Sequence, residues 1–239
     1  MLPLDILSPE HISVAAAVAW ALTSFLCWCL VYYFCSLAAN GSQFLLECLS
    51  CCMRALHAVG AIIFTMIATE HRPHPFIEIG EDNIPLHNLV LIWSLGFFML
   101  ECALASVVKK EPSLMVAHHY ASVLVLGTAL LIQEGGAEMM VGILMLESTN
   151  PLLQVRQILR LTKYKNGRFY KIVEWSFVIF FTLIRVIPCG ITTLFVLFDP
   201  SSQLHIQITY STFYSISLVM VYYTLAYMIN KYFKKAKSS

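Results

Sequence analysis

Charge is scarce in this chain. Asp, Glu, Lys and Arg together supply 12% of its 239 residues, about half the share of a typical soluble domain. That scarcity excludes an ordinary soluble enzyme, and no nucleic-acid partner is expected. The opening segment, MLPLDILSPEH, lacks the basic stretch of a cleavable signal peptide, so the first apolar run is expected to be retained. No gap between apolar runs is long enough for a separate soluble domain. No internal repeat relates the two halves, which weighs against a secondary transporter.

Apolar residues take the place of the missing charge. They make up 59% of the chain, and the mean hydropathy is +0.74. A bilayer crossing takes roughly 20 apolar residues. Seven such runs can be marked, at 12–35, 52–69, 86–107, 114–132, 137–156, 173–198 and 206–230. The expected fold is an all-α membrane bundle of about seven transmembrane helices. Ser8-Pro9-Glu10 reads as the start of the first, with Pro9 in the first turn.

The few charges are sorted by side. Threading seven spans from an outer N-terminus puts 13 of the 15 Lys and Arg residues in the cytosol. The same threading puts 9 of the 14 acids outside. Lys and Arg near span ends set orientation, and an even span count would strand the basic 156–171 segment or the basic tail on the wrong side. The N-terminus is therefore expected outside and the C-terminus inside. The sequon Asn40-Gly41-Ser42 then faces the cytosol and is expected to be unmodified. Lys235-Ala236-Lys237-Ser238-Ser239 has the form of a retrieval signal for the endoplasmic reticulum, the expected compartment; a plain stop-transfer tail is the alternative reading, with Golgi or plasma membrane as alternative destinations.

Eight cysteines are present, none in an expected lumenal loop, so no disulfide framework is implied. Cys48, Cys51 and Cys52 lie at the cytosolic edge of the second span, where palmitoylation is an open reading. Cys48-x-x-Cys51 has no second ligand pair at metal-site spacing, and no metal site is expected. His71, His74 and His87 share an acidic, proline-interrupted lumenal segment, read as a solvated loop.

The ionisable groups inside the spans carry the functional reading, because such groups are disfavoured in hydrocarbon and tend to mark sites. His118 and His119 sit side by side about 8 Å into the fourth span. Arg54 and His57 share one face of the second span, and Glu101 lies at similar depth on the third. The fifth span carries Glu147, Asn150 and Gln154 at helical spacing, with a kink expected at Pro151. Arg185 falls near mid-bilayer on the sixth span and is expected to pair with Glu147. Adjacent histidines point about 100° apart on a helix. Both can face protein only where the helix is surrounded. The expectation is a polar pocket open toward the cytosol.

These stretches resemble the TLC-domain family, which includes the ceramide synthases, translocation-associated membrane proteins and short TLC-domain-containing members. The resemblance rests on Arg54-Ala-Leu-His57-Ala58, on Ser94-Leu-Gly-Phe-Phe and on Ala117-His118-His119-Tyr120. It continues in the Glu147–Arg156 segment ESTNPLLQVR and in Phe180-Phe181-Thr-Leu-Ile-Arg185. The likeness covers roughly residues 50–232 and is nearest to the short members. It implies a six-helix barrel around a central cavity with one added helix. The implied division is residues 1–46 as N-terminal segment and first helix, 47–232 as TLC domain and 233–239 as a basic cytosolic tail.

In ceramide synthases a histidine pair serves acyl transfer from acyl-CoA to a long-chain amine. The resemblance therefore casts His118, His119 and Glu147 as catalytic, and Arg54, His57, Glu101, Asn150, Gln154 and Arg185 as cavity residues. It implies acyl-CoA as substrate, a membrane lipid as partner and no bound cofactor. The His-Asp-x-x-Asp pattern of ceramide synthases is matched here by Leu146-Glu147-Ser148-Thr149-Asn150, so ceramide synthase activity itself is not carried over. A non-enzymatic regulator of phospholipid composition or a trafficking factor is the alternative. A proton-coupled transporter is a weaker third.

Overall fold

The computed structural model describes residues 12–71, 79–107 and 112–234, and among them there is no strand. Nine α-helices follow in order: α1 Val14–Ala39, α2 Gln43–His71, α3 Pro85–Val107, α4 Ser113–Ile132, α5 Gly136–Glu147, α6 Asn150–Leu161, α7 Arg168–Val186, α8 Pro188–Phe198 and α9 Leu204–Ile229. Six stretches are long and apolar enough to cross a membrane: α1, α2, α3, α4, the run Arg168–Phe198 and the run Leu204–Phe233. The chain is an all-α membrane protein.

Each expected run coincides with helix, and the fifth differs in form. In place of one continuous span over 137–156, α5 and α6 are two 12-residue helices separated at Ser148-Thr149. Pro151 has no N–H for the Glu147 carbonyl and is itself well placed in a first helical turn. The break lies just before it. Pro188 does the same between α7 and α8, where the chain continues after one irregular residue, Ile187. The start of the first helix also differs: Ser8-Pro9-Glu10 lies outside the described residues, and α1 begins at Val14 with the Ser13 hydroxyl accepting the Ala16 N–H at 3.2 Å.

Two helix packings fix where the polar side chains of the spans lie. α1 lies along α3, and Gly96 permits the close approach: a Cβ there would come within 2.6 Å of the Phe25 nitrogen. Trp28 of α1 is buried in that seam and donates from Nε1 to the Trp93 carbonyl at 3.2 Å. α2 lies along both α5 and α6, bringing Arg54 and His57 opposite the α5–α6 break.

The end of the bundle carrying the acidic loops is closed by amides. Asn88 donates to Gln133 Oε1 at 2.9 Å, while Asn83 donates to Asn88 Oδ1 at 3.1 Å and to the Ala129 carbonyl at 3.0 Å. Glu138, fully buried at the start of α5, accepts the Gly80 N–H at 2.9 Å. His87 corrects the solvated-loop reading: it belongs to the first turn of α3, is 1% exposed, and its Nδ1 accepts the Ile84 N–H at 3.4 Å. His71 ends α2, and His74 lies outside the described residues, as does the Lys235–Ser239 signal. All eight thiols are unbridged, with Cys52 exposed, Cys48 half-buried and Cys51 buried.

Candidate functional site

All nine residues singled out in the sequence line one cavity of about 760 Å³. That volume is within the usual range of small-molecule sites, about 300–1,000 Å³. Six helices supply them, from α2 to α7. At the basic end the cavity wall also includes Arg156 and Arg160 of α6.

The carboxylates organise the polar wall. Glu101, 2% exposed, takes both arms of Arg54: Nε to Oε1 at 3.0 Å and Nη2 to Oε2 at 2.5 Å. Such a bidentate fork fixes geometry as well as charge. His119 Nε2 lies 3.9 Å from the same Oε2. Glu147 accepts Asn150 Nδ2 at 2.7 Å and has His57 Nδ1 at 3.9 Å. Both His–Glu separations exceed a direct hydrogen bond. His57 is held chiefly by its ring, stacked on Phe97 with centroids 3.8 Å apart and flanked edge-on by Trp28 at 5.8 Å.

Arg185 overturns the expected pairing. It makes no direct ion pair with Glu147; its Nη1 donates to the Ser217 hydroxyl at 2.9 Å and its Nη2 to the Leu146 carbonyl at 3.3 Å. The helix break explains this choice, since it leaves the Leu146 carbonyl at a free helix end beside the guanidinium. Equal depth put Arg185 near Glu147; the direction of the side chain sent it past the carboxylate.

The two histidines diverge as adjacent helical residues must. His119 is buried against α3. His118 faces α9, with Phe213 edge-on at 5.8 Å, and its Nδ1 is buried with no hydrogen-bond partner among the described residues. Buried polar atoms are nearly always paired, so an orphan in a cavity wall is a candidate for ligand contact. A second, narrower void of about 70 Å³ opens beside His118, walled chiefly by apolar side chains including Leu126, Met139, Ile143 and Phe213. His118, Glu147, Asn150, Arg185 and Phe98 line both spaces. A polar chamber thus meets an apolar slot at His118.

One more buried carboxylate near the cavity is not singled out by the sequence reading. Glu174 of α7, fully buried, is bonded by Arg156 at 3.0 and 3.2 Å, Tyr170 at 2.7 Å, Lys231 at 2.5 Å and Tyr232 at 2.6 Å. Charge sorting places Arg156 and Lys231 simply on the cytosolic side. The signal available is an acid six residues into a span-length helix with a tyrosine four residues earlier.

Among the described residues no group of three or more His, Cys, Asp or Glu side chains could hold a metal ion. The family model for the TLC domain matches residues 47–234. Helix α1 precedes the match, and every one of these cavity residues falls within it. On that match, the chain belongs to the TLC-domain family.

Proposed function

We propose that this protein acts in membrane lipid metabolism by acyl transfer, with acyl-CoA as donor and a membrane lipid as acceptor. The observation that carries the reading is the position of His118, with an unpartnered ring nitrogen where a polar chamber meets an apolar slot. A thioester has the matching shape: a polar, anionic carrier, a reactive carbonyl and an apolar chain. The arginines at the basic end suit the carrier, and the slot suits the chain.

In this reading His118 takes the proton from a lipid hydroxyl or amine as that oxygen or nitrogen attacks the thioester carbonyl. The carbon–sulfur bond breaks, and the departing thiolate receives the proton back from His118. A positioned base of this kind contributes about 10²–10⁴-fold. His119, set against the Arg54–Glu101 pair, and His57, set against Glu147, orient the wall around the reacting carbon. Residence in the endoplasmic reticulum belongs to the same proposal.

The test is lipid turnover by His118→Ala and His119→Ala proteins that fold and traffic normally. Turnover falls at least about 10²-fold in the first. If neither change alters any lipid species, catalysis is refuted.

One observation favours a second reading, in which the cavity binds a lipid without transforming it. The second acidic position of the ceramide-synthase pattern is Asn150 here, and the two His–Glu pairs stand 3.9 Å apart. A pure binder would keep its effect on lipid composition in His118→Ala.

A further inference from the structure

Three thiols converge where α1 turns into α2. Asn40 and Gly41 take left-handed backbone conformations, with φ of 46° and 79°, and reverse the chain between Ala39 and Gln43. Cys35 lies one turn before the end of α1, while Cys48 and Cys52 lie one turn apart within the first three turns of α2. Cys52 is within electrostatic reach of both Cys35 and Cys48, so thiols from two helices share one spot. Among the described residues no cysteine is bridged, and no metal-holding cluster includes these three.

Two faces of α2 are put to different uses. Glu47, Ser50, Arg54 and His57 line the polar chamber. Cys48, Cys52, Leu56, Val59, Ile63 and Met66 recur at the three- and four-residue spacing of a single helix face, on the opposite side of the helix. Leu56, Val59, Ile63 and Met66 are exposed, so this face is a lipid-facing stripe. Cys52, exposed as well, stands at its head. Free cysteine is normally among the most buried residue types and behaves as a small packing group. The buried Cys51 fits that description, whereas the thiol of Cys52 fills no helix seam.

The depth of the cluster is equally specific. With 29 residues, α2 is about 43 Å long and outruns a hydrocarbon core of about 30 Å. The exposed carboxylate of Glu47 marks the polar level at this end. Cys48 is next to it, and Cys52 is five residues, about 8 Å, further in. Charge sorting assigns this end to the cytosol. From position 52 to position 66 the stripe runs about 21 Å, and an extended chain of about sixteen carbons spans about 18 Å.

We propose that this cluster is a site of S-acylation, with Cys52 as the acceptor of a long-chain fatty acyl group that lies along the α2 stripe. The site is separate from the chamber and holds whatever reaction the chamber performs. The donor is a long-chain acyl thioester such as an acyl-CoA. The Cys52 thiol gives up its proton, and its sulfur bonds to the thioester carbonyl carbon. The donor's carbon–sulfur bond breaks, and the departing thiolate takes the proton. One thioester replaces another, with no oxidant or reductant. Cys35 and Cys48 are secondary acceptors, since an acyl group passes between neighbouring thiols by the same exchange. The attached chain tethers the α1–α2 corner to the cytosolic leaflet, where the added helix meets the matched domain.

The experiment expresses the full-length protein in cells fed an alkyne-bearing palmitate and reads label before and after neutral hydroxylamine, which cleaves thioesters and spares amides. Wild type carries label that hydroxylamine releases. Cys52→Ser loses most of it, and the triple change Cys35→Ser, Cys48→Ser and Cys52→Ser loses all of it. Cys27→Ser keeps the full label: Cys27 is exposed too, but it lies eight residues, about 12 Å, deeper on α1 than Cys35. Because Cys52 faces lipid, its serine variant unfolds at the wild-type temperature. Mass spectrometry of wild type places the acyl group on Cys52 without recourse to any variant. Absence of hydroxylamine-released label on wild type overturns the proposal. So does full label on the triple variant, or an equal loss in Cys27→Ser.

Discussion

Glu174 and Glu147 are both carboxylates buried among helices, yet their surroundings are opposite. Glu174 has two cations and two phenols on its oxygens, five hydrogen bonds in all, and ties α6 and α7 to the π-helical segment Asn230–Lys234 that follows α9. Glu147 has one hydrogen bond, from Asn150, a histidine at 3.9 Å and a large cavity in front of it. A fully satisfied buried network rigidifies a fold, and an under-satisfied one has room for a ligand. The comparison separates a fastening from a site, although both look alike as acids inside apolar helices.

Substitutions can break that comparison. The largest effect on stability is expected at the fastening. Glu174→Ala leaves Arg156 and Lys231 without their buried partner, and losing one side of such a network costs about 3–5 kcal/mol. Partial exposure of Lys231 draws the expectation to the lower figure; thermal unfolding in detergent reads it. A loss below about 1 kcal/mol would show that Glu174 is not structural.

Glu147→Gln is expected to do the reverse. The amide oxygen can still accept from Asn150, so stability changes by less than about 1 kcal/mol, while lipid turnover falls about 10²-fold as the carboxyl group beside His57 is lost. Equal losses of stability at 147 and 174 would erase the distinction.

Gly96→Val tests whether α1 is an integral wall rather than an ornament outside the matched domain. The added carbon collides with the backbone at Phe25, and overpacking of this kind costs about 1–3 kcal/mol. The smallest expected effect is at Trp28→Phe. It keeps the ring packed near His57 and loses only the bond to the Trp93 carbonyl, about 1 kcal/mol, with turnover unchanged.

Much of the frame was legible in the sequence because apolar runs report one dimension well. Each run became helix, and depth alone gathered Arg54, His57, Glu101, His118 and His119 at one level with Glu147 deeper, and all six share a wall. Direction around the helix was not legible. Arg185 and Glu147 match in depth, but Arg185 reaches Ser217 and the Leu146 carbonyl, because only the fold reveals which way a guanidinium points. The Glu174 fastening combines Arg156, Tyr170, Lys231 and Tyr232 from distant parts of the chain, and no spacing rule links them. His87 was hidden differently: a proline-rich approach read as loop, whereas Pro85 opens α3 and buries the ring two residues later.

The lipid carried by the purified protein tests the central claim most directly. Wild-type protein extracted under mild detergent should retain close to one acyl-bearing molecule per chain, and Gly142→Leu, whose side chain enters the slot that Gly142 lines, should retain markedly less while still folding. Equal retention by the two proteins would contradict the account.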